Sequence, residues 1–284
     1  MSSAVAVVLV AFDRPDHLRR LIAALDPLPV YLHIDAGTPR ATFDRMVADL
    51  PSRVRLLPRL RSRWGSFEVV RAELSGYRAA AAEVDFEHVV MLSGADYPLT
   101  TADRLQQFLA AAPGRSFLEL QRLPLRRWGM FAGYDRFALW QRAVDRRRVA
   151  LPLPLLKPRG LRLAGGSTWK ILSRRHADLV LDAFATDHRL ARYFSRCWIP
   201  EEVAIPSVLL SPARGGDADT GAFGPTPWVV NWRASAGSSP APFADLEEIL
   251  QVAESYPTPA LFARKFDDSS GPLLDRIDQE LRVS

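Results

Sequence analysis

The chain has 284 residues and a mass of 31.7 kDa, with 48% apolar and 24% charged side chains, so it can bury a full core and is not intrinsically disordered. Its net charge of +5 rests almost wholly on arginine, because Lys157, Lys170 and Lys265 are its only lysines, and the forked guanidinium makes an anionic ligand an expectation. Cys197 is the single cysteine, which excludes an internal disulfide scaffold and fits a reducing compartment.

The apolar run Ala4 to Phe12 reads as a buried strand; it is too short to span a bilayer and no basic residues precede it. Asp13 is placed to cap a helix with Pro15 in its first turn, and Leu18, Leu21, Ile22 and Leu25 share one helical face. Val30 to Ile34 is a second strand, ending in Asp35-Ala-Gly37. Phe43, Met46, Val47 and Leu50 repeat the helical spacing, and a short strand follows near Val54 to Leu57. A helix begins near Ser66, with Val70, Leu74, Tyr77 and Ala81 on one face. His88 to Leu92 is a strand closed by Ser93-Gly94; residues 102–111 read as a helix and Ser116 to Gln121 as a strand.

This alternation predicts an α/β fold with a mainly parallel sheet covered on both faces. Ligands of such sheets sit at the carboxyl ends of the strands, which points to His33 and Asp35 on one loop and to Ser93 through Asp96 on another. From Arg122 to Gly166 the rhythm breaks. That stretch is rich in Arg, Trp and Pro and is expected to run over the sheet as the wall of a substrate site. A strand at Thr168 to Leu172, helices across 174–195, a helix from about Glu201, a Gly/Asp-rich loop at 214–224, a strand at Trp228 to Trp232 and a last helix at Pro272 to Arg282 complete the chain. There is no internal repeat, and the stretch Ala236 to Pro242 is too short to link two domains.

Several strings occur together in one order: Val30-Tyr-Leu-His33-Ile-Asp35; Arg63-Trp64-Gly65-Ser66-Phe-Glu-Val-Val-Arg-Ala-Glu73; Leu92-Ser93-Gly94-Ala95-Asp96-Tyr97-Pro98-Leu99; Gly166-Ser167-Thr-Trp169; Trp198-Ile-Pro200-Glu201-Glu202; and Leu261-Phe262-Ala263-Arg264-Lys265-Phe266-Asp267. The set resembles the Core-2/I-branching family of glycosyltransferases, which includes β-1,6-N-acetylglucosaminyltransferases and peptide O-xylosyltransferases. The strings around Asp96 and Lys265 are the specific ones. The resemblance implies a GT-A fold, Rossmann-like, as a single domain over 1–284. Residues 1–121 would be mainly its nucleotide-binding half, and 122–284 would hold the acceptor side, the catalytic base and the diphosphate-binding part. It further implies inverting transfer of a sugar such as GlcNAc or xylose from a UDP-sugar to an acceptor hydroxyl, with no metal ion and no other cofactor.

Departure of a nucleoside diphosphate builds negative charge on its terminal phosphate, and cationic side chains fixed in a site of low dielectric can meet that charge in place of a metal. Lys265 matches the family's phosphate-binding lysine, with Arg233 or Arg264 as its partner. An in-line displacement also needs a carboxylate to take the acceptor proton. The family's base corresponds to Glu202; because Glu replaces the family's Asp at 201, Glu201 is the second candidate. His33 and Asp35 would touch uridine or ribose, with a buried structural histidine as the competing reading of His33. Trp64 and Gly65 would extend that pocket, and Ser93 and Asp96 would hold the donor or its loop. Glu119 matches a family glutamate that holds acceptor hydroxyls, with Arg127 and Trp128 lining the same side. Asp217-Ala-Asp219 spells the metal motif of other GT-A enzymes, but it comes late in the chain and reads as a turn.

The partners expected are therefore a nucleotide-sugar donor and a glycan or small-molecule acceptor. The alternative is an inactive nucleotide- or glycan-binding module of the same fold. Nucleic acid is not expected, since no recognition motif accompanies the basic pI. The sequence shows no secretory anchor and none of the disulfides of animal relatives, so a cytoplasmic enzyme acting on a bacterial surface-glycan precursor or a glycosylated metabolite is expected.

Overall fold

The computed structural model describes residues 5–144, 147–218, 221–232 and 240–283. The first half follows the anticipated rhythm: β1 (Val5–Ala11), α1 (Pro15–Ala24), β2 (Val30–Ile34), α2 (Arg40–Val47), β3 (Val54–Leu56), α3 (Phe67–Glu83), β4 (His88–Ser93), β5 (Asp96–Pro98), α4 (Ala102–Ala110) and β6 (Ser116–Arg122). The second half contains α5 (Asp135–Ala138), β7 (Leu139–Val144), β8 (Arg147–Pro154), β9 (Ala164–Ser173), α6 (Arg174–Thr186), α7 (His188–Phe194), α8 (Ala204–Leu209), β10 (Phe223–Gly224), β11 (Trp228–Val230), α9 (Leu246–Ala253), β12 (Phe262–Arg264) and α10 (Gly271–Glu280).

The central sheet has the order β10-β6-β9-β4-β1-β2-β3, and β9 alone runs against the other strands. Its middle strands are continuous apolar runs because both faces are covered. One core, under α1, α4, α9 and α10, takes Val7, Leu9, Val90 and Ile171; the other, under α3, α6, α7 and α8, takes Ala6, Val8, Val89 and Leu172. This is the mixed α/β architecture that the strand–helix alternation predicts.

A small second sheet, ordered β11-β12-β5, lies beside the first. In it β12 pairs antiparallel with β5, setting Arg264 opposite Asp96 and Phe262 opposite Pro98. The two most specific strings of the sequence are thus strand neighbours.

Several local expectations change. Asp13 does not cap α1: the N-cap is Arg14, held at φ 59° with Nη1 donating to the Phe266 carbonyl at 2.9 Å. The 122–166 stretch is not irregular throughout but contains the β7–β8 hairpin. A 3-10 turn, Pro200–Glu202, precedes α8, and Pro206 falls in the first turn of α8, where a missing N–H breaks no helical bond. Among the described residues no helix is long and apolar enough to cross a membrane.

Candidate functional site

The carboxyl ends of β1, β2, β4 and β6 and the start of the antiparallel β9 share one edge of the sheet. Side chains alternate along β9, so neighbouring residues serve opposite faces of that edge. Trp169 packs on the face of the small sheet, and Lys170, opposite Met91 and Leu118, enters the core under α3.

On the Trp169 face, Arg264 and Asp96 form a buried ion pair, Nη1 to Oδ1, at 2.9 Å. The Asp96 carboxylate also accepts from the Ser93 N–H, and the Ser93 hydroxyl accepts from Arg264 at 3.3 Å. The Arg264 guanidinium lies 3.3 Å above the Trp169 ring, which covers it without competing for its donors. Burial pushes the Asp96 carboxyl up and the guanidinium beside it pulls it back down. Arg264, expected as an alternative to Arg233 beside the diphosphate, anchors the acidic loop through its Nη1. Lys265 follows it, half-buried; burial pushes the Asp13 carboxyl up, and the Lys265 charge is near enough to act in the opposite sense. Glu119 lies at the bulge between β6 and β9; burial raises the pKa of the Tyr256 hydroxyl, and the Glu119 charge acts in the same sense. Its carbonyl oxygen abuts Gly166, where any side chain would overlap it.

On the Lys170 face, the 3-10 turn packs on β9 and α3 and separates the two adjacent glutamates. Glu201 is buried, and loss of solvation pushes its carboxyl up to about 8, although the Gly65 N–H and the nearby Lys170 act in the opposite sense. Gly65 can aim its N–H there because it sits at φ 69°, a conformation open to glycine. Glu202 points to the partly exposed side and pairs with Arg136, Oε2 to Nη1, at 2.6 Å. The Arg136 guanidinium in turn stacks 3.8 Å above Trp128, whose other neighbours are Gly133 and Gly165, both positions where a methyl group would strike the indole. One face of Trp128 is thus occupied by Arg136, not open for stacking on a sugar.

Because Glu201 holds its proton more tightly folded than unfolded, stability falls as pH rises from about 4.5 through about 8. Glu201→Gln is expected to remove a decline on the order of 4 kcal/mol between pH 5 and pH 9, read as a flatter urea midpoint across that range than in the wild type.

His33 and Asp35 support a loop. His33 is fully buried and its Nε2 accepts from the Leu60 N–H at 2.9 Å, leaving Nδ1 without a partner among the described residues. Asp35 accepts from the Gly37 N–H through one oxygen and from the Ser62 N–H, at 2.6 Å, and hydroxyl through the other. The buried structural reading of His33 therefore fits the geometry better than direct contact with a nucleoside, and both residues fix the 57–62 segment that leads to Trp64 and Gly65. Trp64 is 37% exposed and meets Trp198 edge-on at 5.4 Å. Asp217 pairs with Arg175 and the buried His176, as a structural turn would. Arg233 and Asp219 lie outside the described residues, as does the side chain of Arg127.

Sequence reasoning passed over Glu73, Lys170, Tyr77 and Arg136. Lys170 Nζ pairs with Glu73 at 2.8 Å and Tyr77 donates to the same carboxylate oxygen, with both charged side chains fully buried. A signal existed: Glu73 falls on the apolar face of α3 with Val70 and Tyr77, and Lys170 interrupts the apolar β9.

A family model described as Core-2/I-branching enzyme matches residues 29–244. Xylosyltransferase 1 of Homo sapiens and of Pan troglodytes are each 27% identical over 293 residues, covering 93% of this chain and 29% of theirs. The Drosophila melanogaster protein Xylosyltransferase oxt is 26% identical over 203 residues, 64% of this chain and 22% of its own. The chain spans less than a third of the length of these curated relatives. Among solved structures, the apo form of mouse xyloside xylosyltransferase 1 aligns with 93% of this chain and 98% of its own at TM-score 0.41 and 10% identity. With more than two thirds of its residues inside the family model, the chain belongs to the Core-2/I-branching enzyme family, a family of glycosyltransferases.

Proposed function

We propose that the protein is an inverting glycosyltransferase that moves a sugar, xylose or GlcNAc being the candidates, from a UDP-sugar to an acceptor hydroxyl without a metal ion. The observation that carries this reading is the Asp96–Arg264 pair: the acid that follows the end of β4 and opens β5 is already paired with a side chain, and Lys265 comes next in the chain. In this scheme Lys265 faces the departing diphosphate and stabilises the charge that grows there as the sugar becomes oxocarbenium-like. Glu202, on the opposite side of the edge, takes the acceptor proton as the acceptor oxygen attacks the anomeric carbon in line. Glu201, protonated at neutral pH, supports the turn that presents Glu202.

The test is release of UDP from UDP-xylose and UDP-GlcNAc, alone and with saccharide acceptors, in EDTA. Turnover is expected to persist in the chelator and to fall about 10² to 10³-fold in Lys265→Ala, the range for losing one preorganised charge donor. Turnover abolished by EDTA and restored by Mg²⁺ would overturn the metal-free scheme. Tight UDP binding with no turnover of any donor would instead favour a binding module.

A further inference from the structure

We propose that the outward face of the β7–β8 hairpin is a docking surface for an anionic lipid bilayer. The hairpin belongs to neither larger sheet, and its two faces differ in kind. The inner face is tied down: Gln141 is 1% exposed and donates to the carbonyls of Asp135 and Leu139, while Arg148 bonds Gln141 and Asp135. The register sets Arg142 opposite Val149 and Val144 opposite Arg147 on the other face, and Leu151 and Leu153 continue it at the same two-residue spacing.

These apolar residues are held in water. Val144, Val149, Leu151 and Leu153 are 47%, 41%, 39% and 55% exposed, and every residue of β8 is exposed. Among the described residues neither Arg142 nor Arg147 meets an acid. Residues 126–159 hold nine basic and two acidic side chains, a net +7 against +5 for the whole chain, so the remainder of the protein sums to −2. The chain's positive charge is therefore concentrated on the segment that also exposes aliphatic side chains.

The combination selects the occupant. A nucleic acid would meet the arginines but has no use for a row of Val and Leu. A second copy, docked by a twofold axis, would bring like charges together. An anionic bilayer takes both: the aliphatic groups enter the boundary between headgroups and acyl chains, and the guanidiniums remain at the phosphates.

The experiment is co-sedimentation of the full chain with vesicles of phosphatidylglycerol and phosphatidylcholine, or of phosphatidylcholine alone, at low and physiological salt. Binding is expected to the anionic vesicles and to weaken with salt. Arg142→Ser/Arg147→Ser should weaken it about 25-fold, roughly fivefold for each charge near the surface. Leu151→Ser/Leu153→Ser should weaken it on the order of tenfold. Arg40→Ser/Arg45→Ser on α2 makes the same change in net charge and should leave binding intact. All three variants alter exposed residues, and unchanged thermal unfolding confirms their folding. No binding to anionic vesicles at low salt would overturn the proposal. So would equal loss in the α2 variant, undiminished binding in the leucine variant, or a dimer in vesicle-free solution that the leucine variant dissolves.

Discussion

Glu202→Gln is expected to lower kcat by about 10² to 10⁴-fold while the affinity for UDP stays within about twofold. The amide keeps the shape of the side chain and can still face Arg136, but it cannot accept the acceptor proton. A 2.6 Å ion pair to Arg136 holds the Glu202 carboxylate, and the Trp128 ring beneath holds the arginine, so the side chain is fixed before any acceptor arrives. Isothermal titration with UDP and initial rates with a UDP-sugar separate the two effects. A variant that turns over at the wild-type rate would remove Glu202 from the mechanism. The same loss in Glu201→Gln, with Glu202→Gln active, would transfer the role to its neighbour.

Lys170→Met is expected to destabilise the fold by about 3 to 5 kcal/mol, the range for removing one partner of a buried pair. The pair is deep: both side chains are fully buried, and Tyr77 donates into the same carboxylate. Taking away the ammonium strands the Glu73 charge in a core of Val70, Leu74 and Met91. The double variant Lys170→Met/Glu73→Met is expected to recover most of that loss, since apolar replacement of both partners is often near neutral. Denaturant unfolding of the two single variants and the double closes the cycle; additive losses would show that the two charges do not depend on each other.

The parts of the fold that were legible in the sequence are those written locally. β1 is an uninterrupted apolar run, β2 and β4 are apolar runs broken only by His33 and by the end residues His88 and Ser93, and α1 and α3 keep one apolar face over several turns, so each declares itself within a single window. β12 does not. It has three residues, and its pairing partner β5 lies more than 160 positions earlier, so nothing near Phe262 marks it as a strand. The direction of β9 is equally hidden, because its apolar stretch reads the same whether it runs with or against its neighbours.

The candidate site was legible as a set of strings, less so as roles. Asp96 and Arg264 stand in the two most specific strings, yet only the register shows that one neutralises the other. His33 and Asp35 stand at a strand end where ligands gather, but their polar atoms hold the backbone of 57–62; support and contact leave the same mark in a sequence. Arg136 lay in the stretch without rhythm, and its link to Glu202 spans 66 positions.

The alternation along β9 gives that strand a fragility of its own. Shifted by a single position, it would turn the indole of Trp169 into the core beside Glu73 and expel the ammonium of Lys170 toward Asp96, where Arg264 already stands. Both halves of the edge would fail together. The glycines Gly165 and Gly166 at its start, where Trp128 and the Glu119 carbonyl leave no room for a side chain, act as a stop that admits one alignment of the strand and rejects its neighbours.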